Sequence, residues 1–524
     1  MQLQDFLASS AARFPEKTAI VAAGERISYA ELDRRSNRLA GALRDGGVRC
    51  GDRVAVCLEN GIECAVSIFG ALKADAAFVV MNPATKPDKV RFMLEDCAAR
   101  AFIFGRQPDG AMEAAALSVG SVELLVSCGG GQPLAPSPRL LDFDRDLAAY
   151  PSEPPARQAI DMDLAALIYT SGSTGFPKGV TVTHLNMISA ANSITQYLEN
   201  VPEDVILNVL PLSFDYGLYQ LLMAAKVGAT LVLEKSFAFP FQIVQRVCEE
   251  RVTGFPGVPT IFALLLQMKD LHGGRFDGVR YVTNTAAALP PAHILRLRSI
   301  FRKARIYSMY GITECKRVSY LPPDELDRRP TSVGRGMPNE QVTVVDEQGQ
   351  PVPPGTVGEL VVRGSNVMAG YWNRPEETAR ALRPGRYPWE KVLYTGDLFT
   401  ADAEGYLYFV SRKDDIIKSR GEKVSPREVE NAIYELPQVR EAAVVGRPDP
   451  ILGEAVIAYV VLAEGAVLSE REVLSHAACR LESHKVPKRL IFRESLPKTS
   501  TGKIRKAALR EEWRLVAAEE RKEA

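Results

Sequence analysis

From residue 28 to residue 104 the chain alternates helix-patterned stretches with short apolar runs. That alternation restricts it to parallel sheets covered by helices. Residues 28–47 open with Ser28 as N-cap, with Glu31 reaching back to it, and close on Gly46 and Gly47, a helix with both ends marked. Strand, helix, strand, helix and strand follow at residues 52–58, 61–74, 76–82, 86–99 and 100–104. A proline-rich stretch at 151–158 interrupts the pattern and reads as a connection between two subdomains, after which a second βα region begins with the apolar run 164–170.

The texture changes twice more. Residues 341–408 carry short strands with frequent glycine and proline, predicting a small β-rich subdomain. Beyond Arg412 the sequence predicts a compact α+β unit with strands at 439–445 and 455–463 and a helix at 469–481 boxed by Ser469 and Glu472. The predicted fold class is therefore α/β: a large N-terminal domain, residues 1–411, of parallel sheets with helices plus the β-rich subdomain, and a small mobile C-terminal α+β domain, residues 412–524. A length of 524 residues agrees, since one core stops growing at about 250 to 300 residues. The end beyond Trp513 reads as a fraying helix.

Composition narrows the function classes. Lys plus Arg and Asp plus Glu both number 64, so no net field gathers a nucleic acid, and any phosphate site has to be local. The apolar run 455–463 is far short of the ~20 residues of a membrane span and reads as a buried strand. The N-terminus lacks the signal-peptide pattern, so a cytoplasmic location is expected. The eight cysteines form no CxxC pair and show no zinc-like spacing with the five histidines, so reduced, non-ligand cysteines are expected.

The chemistry concentrates in residues 170–179, TSGSTGFPKG, directly after the apolar run. Small hydroxyl residues alternating with glycine let backbone amides converge on an anion, and Lys178 adds a positive charge. The order differs from the GxxxxGK of a P-loop, which disfavours P-loop kinase chemistry.

This segment resembles the phosphate loop of the adenylate-forming superfamily, which contains acyl-CoA synthetases, amino-acid adenylation enzymes and luciferases. Five more segments match in family order: YGITE (310–314), GEL (358–360), YTGD (394–397), SRKDDIIKSRGEKVSPREVE (411–430) and PKTSTGKI (497–504). The resemblance implies an AMP-forming ligase that activates a carboxylic acid with Mg·ATP and passes the acyl group to a pantetheine thiol. Thr170, Ser171, Gly172, Ser173, Thr174, Gly175 and Lys178 would bind the phosphates, and Thr170 is also placed among the catalytic residues. Tyr310 offers a ring to adenine beside Gly311, Thr313 donates to phosphate, and Glu314 is a catalytic residue and a hard ligand for Mg²⁺. Asp397 has acceptor capacity for two ribose hydroxyls. Arg412 falls at the ribose-contacting arginine and Asp414 at the hinge. Ser411 replaces the usual glycine before that arginine, a change that stiffens the turn. Gly421 falls in the thiol channel, whereas Lys423 and Arg427 read as surface charges.

For the acid, Phe214 and Asp215 resemble the pair by which amino-acid activators meet an ammonium group; a pocket hydroxyl or amide is the competing partner for Asp215. Tyr216, Thr285, Ala286 and Met309 complete the candidate pocket. Lys316 and Arg317 either contact a second acidic group or sit solvated at the surface, the commoner outcome. The surrounding text resembles both free-standing ligases that load proline onto a carrier protein and exosortase-associated acyl-CoA ligases. A proline-like amino acid is therefore the expected substrate, with an amine-free acid as alternative. The acceptor is coenzyme A or a separate carrier protein, since nothing after Lys503 resembles a carrier domain. A catalytically silent nucleotide binder is the reading from another class, and the joint presence of Thr174, Lys178, Glu314, Asp397, Arg412 and Lys503 speaks against it.

Lys503 matches the family's catalytic lysine. A carboxylate attacking the α-phosphate brings two anions together, so a positive charge between them stabilises the transition state most. Lys503→Ala is expected to slow adenylation by roughly 100-fold or more while largely sparing thioester formation from supplied acyl-adenylate. Assaying the half-reactions separately checks this, and equal losses in both count against a domain that alternates between them.

Overall fold

The computed structural model describes residues 1–129, 139–170, 177–268, 271, 274–285, 289–420, 422–449, 451–499 and 504–512. Two large sheets form the body. One has eight strands: Gly370–Tyr371, Lys178–Thr183, Leu164–Thr170, Ala77–Val80, Arg53–Cys57, Ala101–Gly105, Leu124–Cys128 and Arg139–Asp142 in spatial order. The other has nine: Arg335–Gly336, Ser319–Tyr320, Arg305–Tyr310, Tyr281–Asn284, Gly254–Gly257, Val205–Asn208, Thr230–Leu233, Thr18–Ala22 and Glu25–Ser28. Both are parallel in their interior, as the alternating pattern predicts, and antiparallel at edges.

The helix Ile62–Lys73 shows how tightly these layers pack: every residue in it except Glu63 is buried. A Cβ on Gly70 would lie 2.6 Å from the Leu39 side chain, so glycine is what lets this helix meet helix Tyr29–Asp45. Lys73 is nonetheless satisfied there, its Nζ 2.6 Å from Asp33 Oδ1.

Two expectations need correction. Ser28 accepts the Glu31 amide as predicted, but the Glu31 carboxylate turns to Arg34 and Arg35 in place of reaching back, because two guanidiniums lie within one helical turn. The proline-rich stretch 151–158 does not separate subdomains. The strand after it, Leu164–Thr170, pairs in parallel with Ala77–Val80 in the sheet that precedes it. Asn37 and Asp75 bind the crossing chain through Ser152 O and Gln158 N.

Strands Glu340–Val345, Gly358–Gly364, Leu382–Pro384, Lys391–Ala401 and Leu407–Arg412 form a separate antiparallel sheet, the β-rich subdomain. The C-terminal unit has its own five strands, with Gly453–Leu462 next to Val439–Asp449, Ile417–Ser419 and Arg489–Phe492. One face of Gly453–Leu462 packs Val456, Ala458 and Val460 in a cluster with Val429, Ile433 and Val473; the other packs Ala455, Ile457, Tyr459 and Val461 against Leu496 and Leu509. Burial on both faces is why this strand reads as an unbroken apolar run. No described helix is long and apolar enough to cross a membrane. The expected terminal helix beyond Trp513 lies outside the described residues.

His184 begins the helix His184–Tyr197 and is 1% exposed; its Nδ1 accepts the Leu3 amide at 3.2 Å. Burial depresses its pKa from 6.5 to about 4. Below pH 6.5 the unfolded chain takes up a proton here that the folded chain refuses, so stability falls with pH until about 4. Unfolding stability at pH 5 is expected to be about 2 kcal/mol below that at pH 7 from this group. Denaturant melts at the two pH values check it, and His184→Asn, which keeps an acceptor without a titrating ring, is expected to flatten the slope.

Candidate nucleotide and acid site

Thr170 ends one strand of an antiparallel pair and Lys178 begins the other, and the two residues are register partners. The intervening loop positions named above, Ser171, Gly172, Ser173, Thr174 and Gly175, lie outside the described residues. Lys178 Nζ lies 5.7 Å above the Tyr371 ring and 3.9 Å from Glu377 Oε1. Tyr371 sits on the edge strand Gly370–Tyr371, paired with Val180, and its hydroxyl donates to Glu314 Oε1 at 2.7 Å. Burial, with the Glu314 carboxylate beside it, raises the Tyr371 pKa, so it stays a neutral donor.

Glu314 follows the end of strand Arg305–Tyr310, and Thr313 beside it is half-buried. Between them and the strand, Gly311 makes a tight turn: a Cβ there would lie 2.4 Å from the Lys316 carbonyl oxygen. Tyr310 packs edge-on against Phe399 at 4.8 Å and donates its hydroxyl to Asp397 Oδ2 at 2.6 Å. Asp397 is buried and is the register partner of Arg412, whose Nε lies 3.3 Å from Asp397 Oδ1. Asp397 raises the Arg412 pKa, and Arg412 in turn acts electrostatically on Glu314 and Tyr371. Lys178, Tyr371, Glu314, Arg412, Asp397 and Tyr310 thus form one continuous polar network.

Ser411 lies within strand Leu407–Arg412, paired with Leu398, so its backbone is extended and needs no glycine; the expected stiffened turn is not there. Asp414 is exposed just beyond, where the Lys413 amide bonds Gly396 O. Gly421 and Lys503 lie outside the described residues, as does Ala286. Lys423 is exposed and Arg427 half-buried.

The acid pocket departs furthest from expectation. Asp215, first residue of helix Asp215–Val227, is buried, and its partner is neither a hydroxyl nor an amide: Lys316 Nζ lies 3.4 Å from its Oδ2. The premise that Asp215 waits for a substrate ammonium therefore fails, because the chain supplies the cation. Lys316 and Arg317 are not solvated; they are 6% and 2% exposed. Lys316 stands above the Tyr219 ring at 4.4 Å, with its backbone in the left-handed region at φ 69°. Burial pulls its pKa down to about 7 while Asp215 pushes it back up. Arg317 lies 5.1 Å over the Tyr216 ring.

Tyr216 is buried and anchored at Thr283, 2.6 Å from its Oγ1; Phe214 meets it edge-on at 6.2 Å. Met309 is buried and accepts the Tyr197 hydroxyl at its Sδ, and Thr285 is buried at the end of strand Tyr281–Asn284. Sequence reasoning missed Tyr371, Tyr197 and Tyr219 as parts of this site. No local pattern marks them: each is one aromatic in an ordinary apolar context, brought in by strand pairing or helix packing.

The pattern of the AMP-binding enzyme family matches residues 7–372, and that of the AMP-binding enzyme C-terminal domain matches residues 428–503. The chain belongs to the AMP-binding enzyme family. It is accordingly an ATP-dependent, AMP-forming ligase. Among members of this family, it is 33% identical to a long-chain-fatty-acid–CoA ligase of Bacillus subtilis, covering 97% of this chain and 94% of that one. It is 34% identical to a feruloyl-CoA synthase of Amycolatopsis sp, covering 95% and 96%. The crystal structure of an anthranilate CoA ligase in complex with anthranoyl-AMP superposes with a TM-score of 0.90 at 27% identity, over 99% of this chain and 98% of that one.

Asp215→Asn leaves the Lys316 ammonium buried without a counter-charge. The variant is expected to lose about 2 kcal/mol at pH 5, below the Lys316 pKa of about 7, read as a lowered denaturation midpoint. Because Lys316 escapes the penalty by losing its proton, the deficit shrinks at pH 9. The double variant Asp215→Leu/Lys316→Met is expected to recover most of the loss.

Proposed function

We propose that the protein is an acyl-CoA ligase: it activates an amine-free carboxylic acid as an acyl-adenylate and transfers the acyl group to coenzyme A. The observation that carries this reading is the continuous network from Lys178 to Tyr310, which gathers a cation, hydroxyl donors and carboxylates at one place. Coenzyme A is preferred to a carrier protein because the relatives named above are CoA ligases. An amino acid is disfavoured because Asp215 already holds Lys316.

Each side chain then has a task. Asp397, positioned by Tyr310 and Arg412, accepts from the ribose hydroxyls. Arg412 adds positive charge beside the ribose, and Tyr310, fixed through its hydroxyl, presents its ring to adenine. Thr170, Lys178 and the loop 171–175 bind the phosphates, with Thr313 as a further donor. Glu314 fits Mg²⁺, since a single carboxylate sharing the ion with phosphates and water is the usual arrangement; among the described residues no three acidic, His or Cys side chains gather into a protein-only cage. The ion would offset phosphate charge. The acid carboxylate attacks the α-phosphate in line and expels pyrophosphate, with Lys503 balancing the charge of the meeting anions.

Residues 1–411 form the large unit and 412–524 the small one, which turns about Asp414 between half-reactions. That turn takes Lys503 away and brings Gly421 to line the thiol path. The thiolate then attacks the acyl carbonyl and releases AMP.

ATP–pyrophosphate exchange over a panel of fatty, aryl, dicarboxylic and amino acids tests the first half, and chromatography of the products with coenzyme A tests the second. The expected result is acid-dependent exchange, AMP in equal amount to acyl-CoA, and loss of both on chelation of magnesium. Release of ADP in place of AMP overturns the assignment.

A further inference from the structure

Among the described residues Arg317 has no counter-charge. Its side chain is among the largest fully buried ones in the protein, and its Nε and Nη1 have no hydrogen-bond partner. No carboxylate among the described residues forms an ion pair with it, and Asp215 is taken by Lys316. An arginine does not escape by losing its proton, as a lysine does. A buried, unpaired guanidinium is therefore a standing cost that persists only if something at the site offsets it.

Its surroundings say what that is. Arg317 lies over Tyr216 and acts electrostatically on Tyr197 and Tyr219, so it sits among the rings of the acid pocket. Tyr216 is tied to Thr283, and Tyr197 to Met309. The neighbouring backbone is held for this placement: Lys316 occupies the left-handed region at φ 69°, and Asn366 Nδ2 donates to the carbonyls of Cys315 and Arg317. Among the described residues, the Asp215–Lys316 pair balances its own charge and Arg317 adds a positive charge beside it.

We infer that Arg317 binds a second carboxylate at the far end of the substrate, so that the acid activated is a dicarboxylic acid. This rests on the acyl-CoA ligase reading above and specifies its substrate class. A carboxylate is the group that takes two parallel hydrogen bonds from a guanidinium, and the tyrosine rings around it exclude the water that would otherwise weaken the pair. Arg317 acts as a specificity-determining residue; the carboxyl that reacts lies at the other end of the substrate, and no bond to Arg317 forms or breaks.

The test is ATP–pyrophosphate exchange by the full-length protein with a homologous series of α,ω-dicarboxylic acids. Each is run against its mono-methyl ester, its mono-amide and the monocarboxylic acid of the same length. The expected result is at least one diacid whose kcat/KM exceeds that of its half-ester and half-amide by about 100-fold or more, because the uncharged ends leave Arg317 unpaired. Arg317→Met is expected to bring that ratio close to one, chiefly by raising KM for the diacid, and Arg317→Lys to restore part of it. If Arg317→Met fails to fold, the wild-type ratios and Arg317→Lys still decide. A monocarboxylic or amino acid preferred over every diacid overturns the inference and leaves the ligase assignment standing. A diacid preference that survives in Arg317→Met also overturns it and marks a structural arginine. Absence of exchange with any acid removes the ligase reading, and the inference falls with it.

Discussion

Asp397 is where three parts of the molecule are joined. It belongs to the β-rich subdomain, accepts from Tyr310 at the end of a strand in the nine-stranded sheet, and is register partner to Arg412, from which the chain enters the C-terminal unit. A buried carboxylate is tolerated only when it is partnered, so these donors tie the β-rich subdomain to the nine-stranded sheet at the point where the chain leaves for the C-terminal unit. The nucleotide network grows outward from this point through Arg412 to Glu314, Tyr371 and Lys178. The polar site is thus also a structural junction.

The acid pocket follows a different rule. Its charges are buried, so each is costly unless answered by another. Asp215 is answered from within the chain by Lys316; among the described residues no carboxylate answers Arg317. Sequence spacing alone puts Lys316 and Arg317 next to each other, yet one is held in an ion pair and the other left with unpartnered nitrogens. The left-handed backbone at Lys316 belongs to the same local arrangement.

Much of the fold was legible because it depends on local periodicity. The parallel strands, the helix stops at Gly46 and Gly47, the Ser469–Glu472 capping box and the doubly buried strand Gly453–Leu462 all write themselves into composition within a few residues. The proline-rich stretch was misread for the same reason. Proline content shows that a segment is not helix or sheet; it is silent on whether the next strand rejoins the same sheet, which pairing with Ala77–Val80 decides. In the candidate nucleotide site, Lys178, Glu314, Tyr310, Asp397 and Arg412 each sit in a distinctive local motif, and strand register brings them together.

The sequence by itself determined the fold class, the family and the motif residues of the candidate nucleotide site, because backbone geometry and phosphate chemistry require particular residues at fixed local spacing. Only the tertiary structure decided who partners whom inside the acid pocket. Asp215 and Lys316 lie far apart along the chain, and whether a charge is solvated, paired or left waiting for a ligand depends on burial. Burial is set by the packing of helix Asp215–Val227 against the residues after strand Arg305–Tyr310, and no stretch of sequence encodes it alone.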